Sequence, residues 1–277
     1  MFMFDVVIDT LIDSLKLLPF LFIAFLIIEA LEHSMKKGSK CIISKSQKVG
    51  PFVGSVLGLI PQCGFSVLAT NLYSSRVITL GTLISVYLAT SDEMIPIFLS
   101  HKAGAGIILG ILFIKFVIGM VSGYIIDKVI RRKEVMDNRI CKEEECHCEE
   151  GIFEASFKHT MKIFIFIFVI TFALNVIMYF GGEKLLYSVF NHNNVLGVMI
   201  GALVGMIPNC SASVIICELY FSEMISFGMM MAGLLCGSGA ALMVLCRVNK
   251  SVRDNVCILG ILYVIGVISG VVIDILL

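Results

Sequence analysis

One ten-residue motif occurs twice in this chain, and the matching positions that follow it keep register for about sixty residues. Gly58-Leu59-Ile60-Pro61-Gln62-Cys63-Gly64-Phe65-Ser66-Val67 returns 147 residues later as Gly205-Met206-Ile207-Pro208-Asn209-Cys210-Ser211-Ala212-Ser213-Val214. Leu72-Tyr73 returns as Leu219-Tyr220, and Gly119, Ser122, Gly123, Ile126 and Asp127 return as Gly266, Ser269, Gly270, Ile273 and Asp274. Upstream, Ser14-Leu15-Lys16 corresponds roughly to Thr160-Met161-Lys162. Chance does not hold register over such a distance, so each half carries one copy of a unit.

The unit is apolar. Stretches from Leu17 to Leu31, Ile78 to Leu99, Ile107 to Ile126, Ile163 to Tyr179, Met224 to Cys246 and Val256 to Leu277 are long enough, or nearly so, to cross a ~30 Å hydrocarbon layer as helices. With 58% hydrophobic residues in 277 and a mean hydropathy of +0.98, the chain has more apolar surface than one soluble core can hide. Asp5, Asp9 and Asp13 stand where a signal peptide would be basic, so the first apolar stretch reads as a retained span. The ten cysteines lack the spacing of a secreted disulfide framework, which fits reduced, cytosolic polar linkers.

Lysine and arginine set the orientation. Residues 33–50 carry Lys36, Lys37, Lys40, Lys45 and Lys48, and residues 128–150 carry Lys128, Arg131, Arg132, Lys133, Arg139 and Lys142, so both loops belong on the cytoplasmic side with an even number of crossings between them. Three simple spans would make that number odd. A re-entrant hairpin from Gly50 to Tyr73, broken at Pro61-Gln62-Cys63-Gly64, restores it, since each arm of about 11 residues covers only half a bilayer. Residues 181–194 then fall outside and Arg247, Lys250 and Arg253 inside, and the second copy is inverted relative to the first. Splitting the interval between the two basic loops into four short spans, which makes ten spans in total, gives the same inversion. The expected fold is an all-α polytopic membrane protein of two inverted-topology repeats, with broken or re-entrant helices at the two proline-cysteine motifs and about 8 to 10 membrane segments. Residues 1–127 form the first repeat, 128–155 a cytoplasmic linker and 156–277 the second repeat.

Irregular backbone at membrane depth survives only where protein or a water-filled cavity satisfies its polar groups. The two motif tips are therefore candidate substrate-binding sites, offering Pro61, Gln62, Cys63 and Ser66 in one half and Pro208, Asn209, Cys210 and Ser213 in the other. Thiols near helix N-termini ionise readily and bind soft metals, which makes Cys63 and Cys210 candidate metal ligands. The plainer alternative is that proline and glycine kink packed helices and cysteine serves as a small hydrophobe. A second break, Ala89-Thr90-Ser91-Asp92-Glu93-Met94-Ile95-Pro96, aligns with Cys236-Gly237-Ser238-Gly239-Ala240. Ser91, Asp92 and Glu93 join the candidate site, and the two acids are candidate metal ligands, because a charged group inside an apolar stretch costs about 2.5 to 3.5 kcal/mol even on lenient scales. The alternative is a wetted interfacial loop. Glu218 is a further intramembrane acid, opposite Asn71, suited to a proton or a cation or else to the interface. Lys115 lies mid-span and is expected to snorkel rather than neutralise an acid.

The linker places Cys141, Cys146, His147 and Cys148 among acids, a soft-metal ligand set without the spacing of a standard zinc module. It reads equally as a solvated charged linker. His33, His101, His159 and His192 sit near span ends and read as interfacial.

At the paired Pro61-Gln62-Cys63-Gly64-Phe65-Ser66 and Pro208-Asn209-Cys210-Ser211-Ala212-Ser213 motifs, with Thr90-Ser91-Asp92-Glu93-Met94-Ile95-Pro96 between them, the chain resembles a family of bacterial permeases described as ten-span heavy-metal exporters. Members are often labelled arsenic efflux proteins or manganese transporters, and the resemblance covers nearly the full length. It implies transport across the bacterial cytoplasmic membrane.

The expected function is secondary-active export of a metal or metalloid ion, such as manganese or arsenite, without a nucleotide-binding domain. No cofactor is expected beyond the transported ion. The expected partners are the lipid bilayer and that ion, with a homo-oligomer allowed and no nucleic acid. The competing classes are a permease for another small solute or anion, a passive channel or metal sensor, and an intramembrane enzyme, for which no embedded histidine offers an obvious base.

Overall fold

The computed structural model describes residues 40–60, 63–91, 94–130, 195–249 and 251–276, with scattered single positions between 19 and 172. Ten helices fall in the continuous segments. In the first half they are α1 (Lys40–Gly58), α2 (Cys63–Ser74), α3 (Leu80–Ala89), α4 (Met94–Ser100) and α5 (Ala105–Val129). In the second they are α6 (Val195–Gly205), α7 (Cys210–Phe221), α8 (Phe227–Cys236), α9 (Ala241–Val248) and α10 (Val252–Leu276). The starts of α2, α3, α4 and α5 precede those of α7, α8, α9 and α10 by the same 147 residues. The expected repeat boundary and linker at 128–155 lie almost wholly outside the described residues.

Leu80–Ser100, Ala105–Val129, Phe227–Val248 and Val252–Leu276 are long and apolar enough to cross a membrane. Their burial differs sharply: 81% and 89% of the residues are buried in the first and third, against 22% in each of the others. The interrupted pairs α3–α4 and α8–α9 thus form the interior, and the continuous α5 and α10 expose side chains such as Phe113, Ile125, Ile268 and Val272 on the outside, as lipid-facing helices do. The expected spans near 17–31 and 163–179 fall outside the described segments.

One expectation needs correction. Residues 33–50 were read as a basic loop, but α1 begins at Lys40 and only Val49–Gly58 is apolar. Lysine is a good helix former, and residues 40–49 contain neither glycine nor proline to stop the helix.

Small residues let backbones meet closely, as packing between membrane helices requires. A Cβ on Gly54 would lie 2.9 Å from Thr82 O, and one on the corresponding Gly201 2.9 Å from Met229 O. These contacts press α1 on α3 and α6 on α8. Asp127, in the last turn of α5, accepts from the Gly81 amide at 2.8 Å and from Thr79 Oγ1 at 2.7 Å. Asp274, in the last turn of α10, accepts from the Gly228 amide and from Ser226 Oγ, both at 2.7 Å. Thr79 and Ser226 in turn cap α3 and α8, accepting from Thr82 N at 3.1 Å and Met229 N at 3.2 Å.

The halves interlock. Helix α2 packs on α9 and α7 on α4, exchanging corresponding elements between halves, while α3 meets α8 directly.

Candidate functional site

Each half brings two helix breaks together. The break between α6 and α7 contains Pro208, which supplies no amide hydrogen and ends the ladder. It lies beside the break between α8 and α9: a Cβ on Gly237 would stand 3.1 Å from Ser213 Oγ and 3.7 Å from Gly205 O. In the first half, a Cβ on Gly58, at the end of α1, would stand 2.6 Å from Val86 O and 2.8 Å from the Ala89 side chain, at the end of α3.

Lys115 joins the two halves. It rises from the middle of α5, has no exposed surface, and its Nζ donates to the carbonyls of Thr90, which caps α3, and of Leu234, in the last turn of α8, the latter at 3.0 Å. Carbonyls at a helix C-terminus lack intrahelical donors and carry about half a negative charge per helix, so an ammonium is a favourable partner for both ends. The expectation that Lys115 snorkels is overturned. A snorkelling lysine keeps its charge in water, whereas here two unwound helix ends supply the ligands that water would.

The other predicted residues lie in the helices and breaks of the two halves or outside the described segments. Ser66 is buried, and its carbonyl accepts from Thr70 Oγ1 at 2.7 Å. Thr70 also shares a 2.6 Å hydrogen bond with the buried Tyr87 hydroxyl, linking α2 to α3. Ser91 is buried in the first interrupted helix and donates to Ala89 O at 3.0 Å. Asn209 is buried in its turn, with its backbone N–H donating to Ile207 O at 2.7 Å, and the adjoining Pro208 is half-buried. Ser213 is half-buried in the first turn of α7. Cys63 and Cys210 open α2 and α7, but their side chains lie outside what the structure describes. Pro61, Gln62, Asp92, Glu93, Cys141, Cys146, His147 and Cys148 also lie outside the described residues. Among the described residues, no three His, Cys, Asp or Glu side chains gather into a metal site.

Glu218 sits apart. Its side chain is 42% exposed and meets His101 Nε2 at 3.0 Å. The imidazole stacks on Phe221 with ring centroids 4.2 Å apart, so this pair ties α7 to the turn after α4.

Sequence reasoning passed over Ser238. It is fully buried in the α8–α9 break, and among the described residues its Oγ has no hydrogen-bond partner. The available signal was a lone hydroxyl between Gly237 and Gly239 inside an apolar stretch, easily read as a break that had merely lost its acids.

No curated protein and no solved structure shows significant similarity to the chain. A family described as "Putative, 10TM heavy-metal exporter" matches residues 3–183 and 162–277. An all-helical architecture with interrupted apolar helices around a buried polar junction, together with a match across nearly the whole sequence, makes this chain a member of that heavy-metal exporter family.

Proposed function

We propose that the protein is a secondary-active exporter that carries a metal or metalloid ion through the junction between its halves. The two proline-cysteine turns act as re-entrant tips, and the halves are inverted copies that expose the junction alternately to either side of the bacterial cytoplasmic membrane. The observation that supports this most is the bridge from Lys115 to Thr90 and Leu234, because it gathers the ends of both interrupted helices at one buried polar point. Irregular backbone of this kind belongs where a cavity or cargo needs it.

In this reading Cys63, Cys210, Gln62 and Asn209 contact the cargo, and Ser66, Ser91, Ser213 and the turns at Pro61 and Pro208 complete the site. Asp92 and Glu93 compensate charge or carry the coupling protons. Glu218, with His101, forms a contact between the halves at the extracytoplasmic face. Cys141, Cys146, His147 and Cys148 of the linker hold a soft metal on the cytoplasmic side.

Uptake into everted vesicles across a panel that includes arsenite and manganese(II) tests the reading. Accumulation driven by a proton gradient or membrane potential, reduced in Cys63→Ala or Asp92→Asn, is expected. Equal accumulation by wild type and both variants would exclude this site.

A further inference from the structure

The two central breaks differ in chemistry. Where the first half has Asp92 and Glu93, the second has Gly239 and Ala240. Helix α9, eight residues long, starts at Ala241 with Ala240 as its N-cap, and no side chain caps it. Residues Ala240 to Met243 are buried, so bulk solvent does not reach the first turn of α9. Among the described residues, Ala241 N donates to Ser238 O at 3.3 Å, and no backbone carbonyl before α9 accepts from the Leu242 or Met243 amide. Buried helix starts normally have their amides satisfied. Gly239, at φ 53°, precedes Ala240 in the right-handed helical region, a pairing that turns successive amides toward one concavity.

A separate observation points the same way. The Ser238 hydroxyl, two residues before the N-cap, has no exposed surface and, among the described residues, no partner. Ser213 Oγ lies close to Gly237, and the Lys115 ammonium sits one helical turn back, at Leu234 O. This part of the junction therefore collects hydrogen-bond donors. The carbonyl ends that would attract a cation there are already held by Lys115.

Building on the exporter reading, we propose that the α8–α9 break is an oxyanion site: Ser238 Oγ and the first-turn amides of α9 bind the oxygens of a small metal or metalloid oxyanion. The Lys115 charge supplies attraction at short range. The cargo thus crosses this half of the junction as an oxyanion rather than as a bare divalent cation.

The test uses full-length protein with arsenate and selenite as oxyanion probes and manganese(II) as the cation probe, read by ligand-induced thermal stabilisation and by counterflow in proteoliposomes. The oxyanions are expected to raise the unfolding temperature. Ser238→Ala is expected to weaken them roughly ten-fold or more, as loss of a hydrogen bond to a charged ligand does. Ser238→Asp is expected to abolish oxyanion binding while remaining at least as stable as Ser238→Ala, since its carboxylate occupies the same amides. Absence of oxyanion stabilisation, or unchanged affinity in both variants, overturns the proposal. Counterflow of manganese(II) without oxyanion binding removes the oxyanion site and leaves the exporter reading standing. Counterflow of no probe at all counts against both.

Discussion

Lys115 Nζ, on α5 of the first half, donates a 3.0 Å hydrogen bond to the carbonyl of Leu234, on α8 of the second. A fully buried cation is thereby shared between the unwound ends of two helices that belong to different halves of the chain.

Lys115→Met removes that cation and leaves the Thr90 and Leu234 carbonyls without this donor. Hydrogen bonds from charged groups contribute about 1.5 to 3 kcal/mol each, so thermal unfolding in detergent is expected well below the wild-type temperature, with transport reduced in parallel. Lys115→Arg is not expected to restore it, since the site has no exposed surface to take a larger head group. Wild-type stability in Lys115→Met would mean that the bridge carries no load.

The aspartate caps are expected to differ in weight despite making the same bonds. Asp127→Ala removes a half-buried carboxylate from Gly81 and Thr79, and a loss of about 1 kcal/mol follows. Asp274→Ala breaks the corresponding bonds to Gly228 and Ser226, but Asp274 is exposed, so solvent offsets more of the loss and the cost is smaller. Denaturation of both single variants and the double variant measures this. Near-additive effects are expected, because the sites share no partner.

Most of the helix breaks were legible in the sequence. Proline without an amide hydrogen and glycines inside apolar runs mark where a helix stops, as at Pro208 and at Gly237 and Gly239. The aspartates of the caps were visible as recurring positions, but not their function, because residues 46 apart meet only after α3 and α5 have packed. Lys115 illustrates the limit more sharply. Its chemistry and mid-span position were plain, yet whether a flexible side chain runs to water or inward depends on carbonyls 25 and 119 residues away. Ser238 was hidden for another reason: an isolated serine is unremarkable in sequence, and only burial without a partner distinguishes it.

Glycines divide into two classes that substitution separates. A Cβ on Gly81 would collide with Gly123 O, and one on Gly228 with Gly270 O, so Gly81→Ala and Gly228→Ala should lose monodisperse, folded protein. Among the described residues, nothing lies within 4 Å of a Cβ on Gly110 or Gly260. Alanine there is expected to be neutral, or to stabilise by about 0.5 to 1 kcal/mol through helix propensity. Size-exclusion profiles and unfolding curves of the four variants check this contrast.

The proposed opposite orientation of the halves has its own readout. Lys102 and Asn249 occupy corresponding turns, after α4 and after α9. Membrane-impermeant maleimide should label Lys102→Cys from outside intact cells and Asn249→Cys only in everted vesicles, with the unsubstituted protein as the baseline. Labelling of both from one side would mean that the halves run in parallel.

Counterflow in proteoliposomes addresses the central claim, a carrier working through the junction of the two interrupted helices. Unlabelled cargo trapped inside should drive transient, saturable uptake of labelled cargo, and Lys115→Met should suppress it. Unsaturable flux without counterflow, or full counterflow in Lys115→Met, would contradict the account.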